Sequence, residues 1–119
     1  MRVLIVEDDP AIARLLARCF RMWGWEADAS GSLAQARDLF GRRRYDLALC
    51  DADLPDGDGV SFSQELQETD DLLDIIIVSG DPENIERARR AGFYRCLSKP
   101  FNLDALRVLA DGAASERIL

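Results

Sequence analysis

The chain has 119 residues, a length that suits one domain with its own hydrophobic core. A net charge of -7 at pH 7 argues against direct binding to nucleic acid, since phosphate contacts require a basic surface. No apolar run approaches the roughly 18 residues that cross a bilayer, and the start of the chain lacks a signal peptide's long apolar region, so we expect neither membrane insertion nor export.

Five short apolar runs alternate with amphipathic stretches along the chain. This alternation predicts repeated βα units around a parallel sheet, and hence an α/β fold. The first, third and fourth runs are almost continuously apolar, as in strands covered by helices on both faces, whereas the second is mixed and indicates an edge strand. The predicted strands are 3–6, 26–29, 46–50, 74–78 and 94–97.

Helix start and stop signals lie between the predicted strands. The predicted N-caps are Asp9, Ser32, Asp81 and Asn102, and a proline follows Asp9 and Asp81. The predicted helix ends are Gly24, Gly41 and Gly92.

The third and fifth helices carry weaker signals. The third is expected over 60–68, with Asp56 and Asp58 shaping a turn and capping that helix. In the fifth, the leucines are expected to face inward; these are Leu103, Leu106 and Leu109. Residues 111–119 either extend this helix or begin a linker, and residues 1–119 are expected to form one domain.

Polar side chains follow four of the predicted strands at the point where each strand ends. They are Glu7, Asp8 and Asp9 after the first strand, Asp51 and Asp53 after the third, Ser79 after the fourth, and Ser98 and Lys99 after the fifth. The carboxyl ends of parallel strands share one edge of a sheet, where ligands bind, so these side chains are expected to meet there. Asp9 is better explained as a helix cap than as part of a site.

The residue types at this edge restrict the chemistry available to it. The chain contains no histidine, so a reaction must use carboxylates, hydroxyls or an amine, and Lys99 is the single lysine among 15 basic residues. Glu7, Asp8 and Asp51 would repel one another unless a cation joins them, and all-oxygen ligation indicates Mg²⁺ or Mn²⁺, with Ca²⁺ as a further option. A carboxylate can also attack phosphorus to form an aspartyl-phosphate, which the metal, Lys99 and Ser79 would stabilise.

The cysteines and the arginine clusters are interpreted more simply. The chain has an odd number of cysteines, and each lies in or beside an apolar run: Cys19, Cys50 and Cys96. This indicates free buried thiols and a reducing compartment.

The arginines at 42–44 are expected to form a solvated helix end. Those at 87, 89 and 90 are either solvated or part of a partner surface.

Four motifs in order resemble the receiver domain of two-component response regulators. They are VLIVEDD, DLALCDADLPDGDG, IIIVSGD and AGFYRCLSKPF, which together extend over nearly the whole chain. The resemblance implies a flavodoxin-like, doubly wound (βα)5 fold with a five-stranded parallel sheet of order 2-1-3-4-5. It also implies a phosphorylation-activated switch rather than an enzyme, one that catalyses only its own phosphoryl transfer and slow autodephosphorylation.

The resemblance assigns roles to the residues at the strand ends. Asp51 matches the phosphoacceptor, and Glu7 with Asp8 match the acidic pair that holds Mg²⁺. Asp53 stands where the family offers a backbone carbonyl to the metal. The phosphoryl donor would be a phosphohistidine on a sensor histidine kinase or a phosphotransfer protein, and an output domain or a downstream protein would receive the signal, all in the cytoplasm. Receivers also commonly form homodimers through the fourth helix, fifth strand and fifth helix.

Two further positions match the residues that contact the phosphoryl group, and one position departs from the family. Ser79 matches the hydroxyl residue, and Lys99 matches the lysine that precedes a proline prone to the cis form. Receivers usually carry Tyr or Phe three residues before that lysine, as a ring that relays phosphorylation to the partner face. This chain has Cys96 there, and Tyr94, two residues earlier, is a candidate substitute.

Three alternatives accompany this interpretation. Asp51 and Asp53 after an apolar strand also resemble haloacid-dehalogenase-type phosphatases, but Pro55 and Asp56 break that family's pattern and the chain is too short for a cap domain. A calcium loop counted from Asp51 fails because Gly57 falls at its seventh position rather than its sixth. A pseudo-receiver, with the fold but no phosphorylation, stays open because of the unusual residue three positions before the lysine.

Overall fold

A computed structural model describes residues 1–118 and the side chains of residues 1–115. In this part of the chain five parallel strands form the main sheet: β1 (Arg2–Val6), β2 (Glu26–Ser30), β3 (Leu47–Asp51), β6 (Asp74–Ser79) and β7 (Cys96–Ser98). Two more strands form a short antiparallel hairpin: β4 (Asp53–Leu54) and β5 (Gly57–Asp58). The helices of the same part are α1 (Pro10–Met22), α2 (Leu33–Arg42), α3 (Gly59–Thr69), α4 (Pro82–Arg90) and α5 (Leu103–Ile118).

The strand order in the main sheet is β2-β1-β3-β6-β7, and every neighbouring pair is parallel. With the hairpin left out this is the order 2-1-3-4-5, so the predicted flavodoxin-like (βα)5 fold is confirmed. β2 lies at one edge, as its mixed composition indicated. The last strand begins at Cys96, two residues later than predicted, because the chain pairs with β6 only from that residue onward.

Alternate residues of the central strands face opposite sides of the sheet and fill two separate cores. On one side, Leu4 and Ala48 pack with residues of α2, α3 and α4. On the other side, Val3 and Leu49 pack with residues of α1 and α5. Both faces of the sheet are therefore covered, and the edge at the carboxyl ends of the strands is where polar side chains can gather.

All four predicted N-caps are confirmed, because each side-chain oxygen accepts a hydrogen bond from a backbone N–H of the first turn. These caps are Asp9 on α1, Ser32 on α2, Asp81 on α4 and Asn102 on α5. Gly24 and Gly92 follow their helices with φ angles of 93° and 99°, the left-handed conformation that ends a helix.

Three local predictions were wrong. Gly41 lies inside α2 rather than at its end, because its backbone does not turn to the left-handed conformation. Asp56 caps α2 instead of α3, since the β4–β5 hairpin turns its carboxylate toward the N–H groups of Leu33 and Ala34, at 2.9 and 3.2 Å. Leu103 is 37% exposed rather than inward, because it lies at the open first turn of α5.

The carboxyl-terminal helix continues through most of residues 111–119, for which the sequence left open a helix extension or a linker. Leu119 lies outside the described residues. The leucines expected to face inward at the middle of this helix do so, with Leu106 fully buried and Leu109 packed against the same core. Within the described part of the chain, no helix combines the length and apolar character that a bilayer span requires.

The first residue of α3 must be glycine, because a Cβ on Gly59 would overlap the backbone carbonyl oxygen of Asp51. We expect Gly59→Ala to lower the free energy of unfolding by about 2 kcal/mol, as overpacking against backbone does. Gly41→Ala is the control, since open space surrounds that position and alanine favours a helix. Urea unfolding of both variants checks this, and equal stabilities would contradict the close approach of α3 to β3.

Candidate functional site

Four strand ends bring the predicted site residues together at one edge of the sheet. Glu7 follows β1 and is 5% exposed, Asp51 ends β3 and is 4% exposed, and Ser79 ends β6 and is 0% exposed. Asp8 lies beside Glu7 and faces solvent. Lys99 follows β7 and reaches back over this edge, so acids, a hydroxyl and an ammonium group converge as expected from the parallel sheet.

The ammonium group of Lys99 joins the two buried carboxylates. Its Nζ donates to Oδ2 of Asp51 at 2.6 Å and to Oε2 of Glu7 at 3.3 Å. The Lys99–Pro100 peptide bond that follows is cis. A single ammonium therefore offsets the charge of acids that the fold removes from water.

Burial makes the acidic cluster unfavourable for negative charge. Burial and the hydrogen bond with Asp51 raise the pKa of Glu7 to about 7, although the charge of Lys99 opposes that rise. Burial alone would lower the pKa of Lys99, but the hydrogen bond and charge of Asp51, followed by those of Glu7, raise it above its usual value. The cluster thus favours positive charge placed among its oxygens.

One oxygen from each of Glu7, Asp8 and Asp51 lies within 4.8 Å of the others. Three carboxylate oxygens at that spacing can ligate one cation, and the set contains no nitrogen or sulfur ligand. A hard ion such as Mg²⁺ fits these donors. The raised pKa of Glu7 reflects the cost of negative charge in this buried cluster, and such an ion would lower that cost. The residues present therefore fit the metal that the sequence predicted.

Backbone contacts hold Asp51 in place. Asp51 pairs with Val78 of the neighbouring strand β6, and its Oδ1 accepts the N–H of Asp53 at 3.0 Å. Gly59 approaches its backbone carbonyl from the start of α3, and the N–H of Gly59 donates to Ala52 at 3.0 Å. One carboxylate oxygen of Asp51 is thus oriented by backbone and the other faces the ammonium group, which suits a fixed nucleophile.

The structure reveals a side-chain role at Asp53 that the sequence did not. Its Oδ2 accepts the hydroxyl of Ser79 at 3.1 Å, and its Oδ1 accepts the amide of Asn84 at 2.7 Å. Arg87, interpreted from the sequence as solvated or as part of a partner surface, forms a two-pronged ion pair with Asp58 at 2.6 and 2.7 Å. The spacing of Asn84 and Arg87 on one face of α4 was the available signal, but it did not identify their partners.

The position three residues before Lys99 lacks a ring. Cys96 is partly buried, burial raises the pKa of its thiol, and its Sγ donates to the carbonyl of Phe93 at 3.3 Å. Tyr94 precedes β7 and is 67% exposed, with the guanidinium of Arg95 lying 4.7 Å from its ring centroid. A switching role for Cys96 or Tyr94 stays a prediction.

Comparison with known proteins gives consistent matches. A family model described as "Response regulator receiver domain" matches residues 3–111. The response regulator protein PilR of Pseudomonas aeruginosa is 31% identical over 110 residues, covering 91% of this chain and 25% of PilR. Sporulation initiation phosphotransferase F of Bacillus subtilis is 29% identical over 108 residues, covering 89% of this chain and 87% of that protein.

Solved structures show the same similarity in three dimensions. A response regulator receiver domain described as CheY-like, from Methylobacillus flagellatus, superposes with a TM-score of 0.85 at 26% identity, covering 95% of this chain and 98% of that one. Among the curated relatives, however, the chain spans as little as 9% of the whole protein. The activities of those longer proteins therefore do not transfer directly to it.

Divalent metal is expected to stabilise the fold, because a cation relieves the repulsion among the three acids. At a Mg²⁺ concentration of about 100 times Kd, the gain in unfolding free energy is about 2.7 kcal/mol. Asp8→Asn should lose most of this gain and be more stable than the parent chain in EDTA. Asp71→Asn, which removes an exposed acid ahead of β6 at the opposite edge of the sheet, should retain it. Thermal unfolding with Mg²⁺ and with EDTA measures both effects, and equal gains in the two variants would place the metal elsewhere.

Proposed function

The chain belongs to the response regulator receiver domain family, and on that premise we propose that it accepts a phosphoryl group on Asp51 in a Mg²⁺-dependent reaction. Receiver domains serve two-component signalling and act as signalling domains. The observation that carries the proposal is the 2.6 Å contact between Lys99 Nζ and Oδ2 of Asp51, beside the acids of Glu7 and Asp8. An ammonium group at that distance can shift from the carboxylate to a phosphoryl oxygen as the group arrives.

The proposed reaction is an in-line displacement at phosphorus. A carboxylate oxygen of Asp51 forms a bond to phosphorus while the bond from phosphorus to the donor nitrogen breaks, and the donor imidazole leaves with that electron pair. Lys99 donates to one phosphoryl oxygen, and Ser79 can donate to another. When bound, Mg²⁺ supplies charge neutralisation for the acids and the phosphoryl oxygens. Its ligands would be Glu7, Asp8, Asp51 and the backbone carbonyl of Asp53.

The donor would be a phosphohistidine on a sensor histidine kinase or a phosphotransfer protein. This chain has no histidine of its own, so the donor must be a separate protein or a separate domain. The relatives include response regulators and sensor histidine kinases, which supports such a partnership. An output domain or a downstream protein would receive the signal in the cytoplasm, with residues 1–119 serving as one receiver domain.

Two surfaces are available for these partners. An apolar groove next to Lys99 runs between α1 and the start of α5, and its lining includes Leu15, Leu16 and Phe101. Because this groove adjoins the ammonium group that faces Asp51, it is a suitable surface for the phosphodonor. The face formed by α4, β7 and α5 is the proposed surface for homodimers, as in other receivers.

A second candidate function is that of a pseudo-receiver, an interaction module that is not phosphorylated. The observation that favours it is Cys96, which replaces the aromatic ring that receivers usually carry and packs its thiol on a backbone carbonyl. The complete set of site residues around Asp51 favours phosphorylation instead. A direct assay of phosphoryl transfer separates these functions.

Incubation with Mg²⁺ and acetyl phosphate is expected to add the mass of one phosphoryl group to the intact chain. Asp51→Asn should abolish the gain, since the nucleophilic oxygen is lost, while Asp71→Asn should keep it. Mass spectrometry of the intact protein provides the measurement. No gain in the parent chain under any metal condition would support the pseudo-receiver, and continuous phosphate release from many substrates would support a phosphatase.

Lys99→Arg is expected to separate phosphorylation from its structural consequence. The planar guanidinium keeps the positive charge, so the mass gain on Asp51 should persist, but it cannot follow a phosphoryl oxygen as a compact ammonium does. Most of the phosphorylation-dependent change in amide exchange over α4, β7 and α5 should therefore disappear. Unaltered exchange differences in this variant would contradict the role given to the ammonium group.

A further inference from the structure

The hydroxyl of Ser79 is already engaged in the structure. A serine hydroxyl carries one proton, and this proton is donated to Oδ2 of Asp53 at 3.1 Å. The oxygen of the same hydroxyl accepts the N–H of Asp81 at 3.0 Å. Because Ser79 is fully buried, its hydroxyl has few alternative partners, and a phosphoryl oxygen must take the proton away from Asp53.

Asp53 is in turn tied to α4. Its Oδ1 accepts the side-chain N–H of Asn84 at 2.7 Å, and the side-chain Oδ1 of Asn84 accepts from Arg87 at 3.2 Å. Arg87 is anchored at its other side by the two-pronged ion pair with Asp58, the residue that caps α3. A continuous chain of hydrogen bonds therefore runs from Ser79 to the first turn of α4 and back to the start of α3.

We propose that Asp53 and Asn84 form a latch that holds α4 in its unphosphorylated position, and that phosphorylation of Asp51 opens it. This inference rests on the proposed function and deepens it by naming the residues that carry the signal from the phosphoryl group. Opening exchanges hydrogen bonds only. The proton of Ser79 moves from Oδ2 of Asp53 to a phosphoryl oxygen, the carboxylate of Asp53 moves away from the phosphoryl group, and the amide of Asn84 exchanges Asp53 for water.

Two forces favour opening once the phosphoryl group is present. A phosphoryl group carries more negative charge than a carboxylate, so it competes strongly for the single proton of Ser79. It is also attached to Asp51, whose Oδ1 already accepts the backbone N–H of Asp53, so the added charge repels the nearby carboxylate. A ligand shifts a two-state equilibrium only through unequal interaction with the two states, and both forces act on the closed latch alone.

The latch also explains how this chain would signal without the aromatic ring that receivers usually carry three residues before the lysine. Cys96 offers no aromatic side chain, and Tyr94 is mainly exposed, whereas the hydrogen bonds of Asp53 lead directly from Ser79 to α4. The hydrogen bonds from Arg87 hold the pKa of Asp58 well below its usual range, so this end of the chain of contacts stays charged and fixed at neutral pH. Asn84 therefore lies between Asp53, which the phosphoryl group displaces, and Arg87, which Asp58 holds in place.

The experiment is amide hydrogen exchange of α4, followed by mass spectrometry with and without Mg²⁺ and acetyl phosphate. In the parent chain, phosphorylation should raise exchange in the first turn of α4 by about tenfold, as expected for loss of a charge-assisted hydrogen bond. Asn84→Ala should show the raised exchange without phosphorylation and little further change with it. Alanine favours a helix more than asparagine does, so helix propensity cannot account for the increase.

Glu86→Ala is the matched control, because it truncates an exposed polar residue of the same helix outside the hydrogen-bonded chain. It should behave like the parent chain in both states. If Asn84→Ala instead matches Glu86→Ala with and without acetyl phosphate, the latch is wrong even where the mass gain on Asp51 occurs. If the parent chain gains no phosphoryl mass in the same samples, the proposed function is wrong and the latch is lost with it.

Discussion

The crowding of three carboxylates, two of which bond to one ammonium group, is the constraint on which the rest of the site depends. Glu7 and Asp51 are buried together, and Lys99 bonds both of them from the end of another strand. Such an arrangement is costly unless the positive charge is held accurately in place. The parallel sheet meets this need, because its register brings the ends of β1, β3 and β7 to one edge at fixed separations.

The segment after Asp51 connects this charged centre to the helices on one face of the sheet. Asp56 caps α2, Asp58 caps α3 and binds Arg87 of α4, and Asp53 binds Asn84 of the same helix. The acids of this short segment therefore connect neighbouring elements. The segment is also bonded directly to Asp51 through the N–H of Asp53, so the proposed phosphorylation would change the charge next to these contacts.

In the proposed mechanism, the same contacts take the place of the aromatic ring that receivers usually carry. Receivers usually use an aromatic ring near the end of the last strand, and this chain has a small thiol at Cys96. The acidic side chain of Asp53 and the amide of Asn84 supply a polar connection between Ser79 and α4. Hydrogen-bonded groups can have two discrete arrangements just as a ring can, so the proposed latch would transmit the signal through hydrogen bonds instead of a ring.

Local patterns in the sequence alone predicted the α/β class and the residues that meet at the strand ends, because strand periodicity, cap-plus-proline helix starts and the common edge of parallel strands fold predictably. Glu7, Asp51 and Lys99 were identified in this way. The strand order was implied by the resemblance to receiver domains. Only the tertiary structure decided what the side chains of Asp53 and Asp56 contact, since their partners lie 31 and 23 residues away. Such contacts depend on how the β4–β5 hairpin turns and how α2 and α4 pack beside it, which no local pattern specifies.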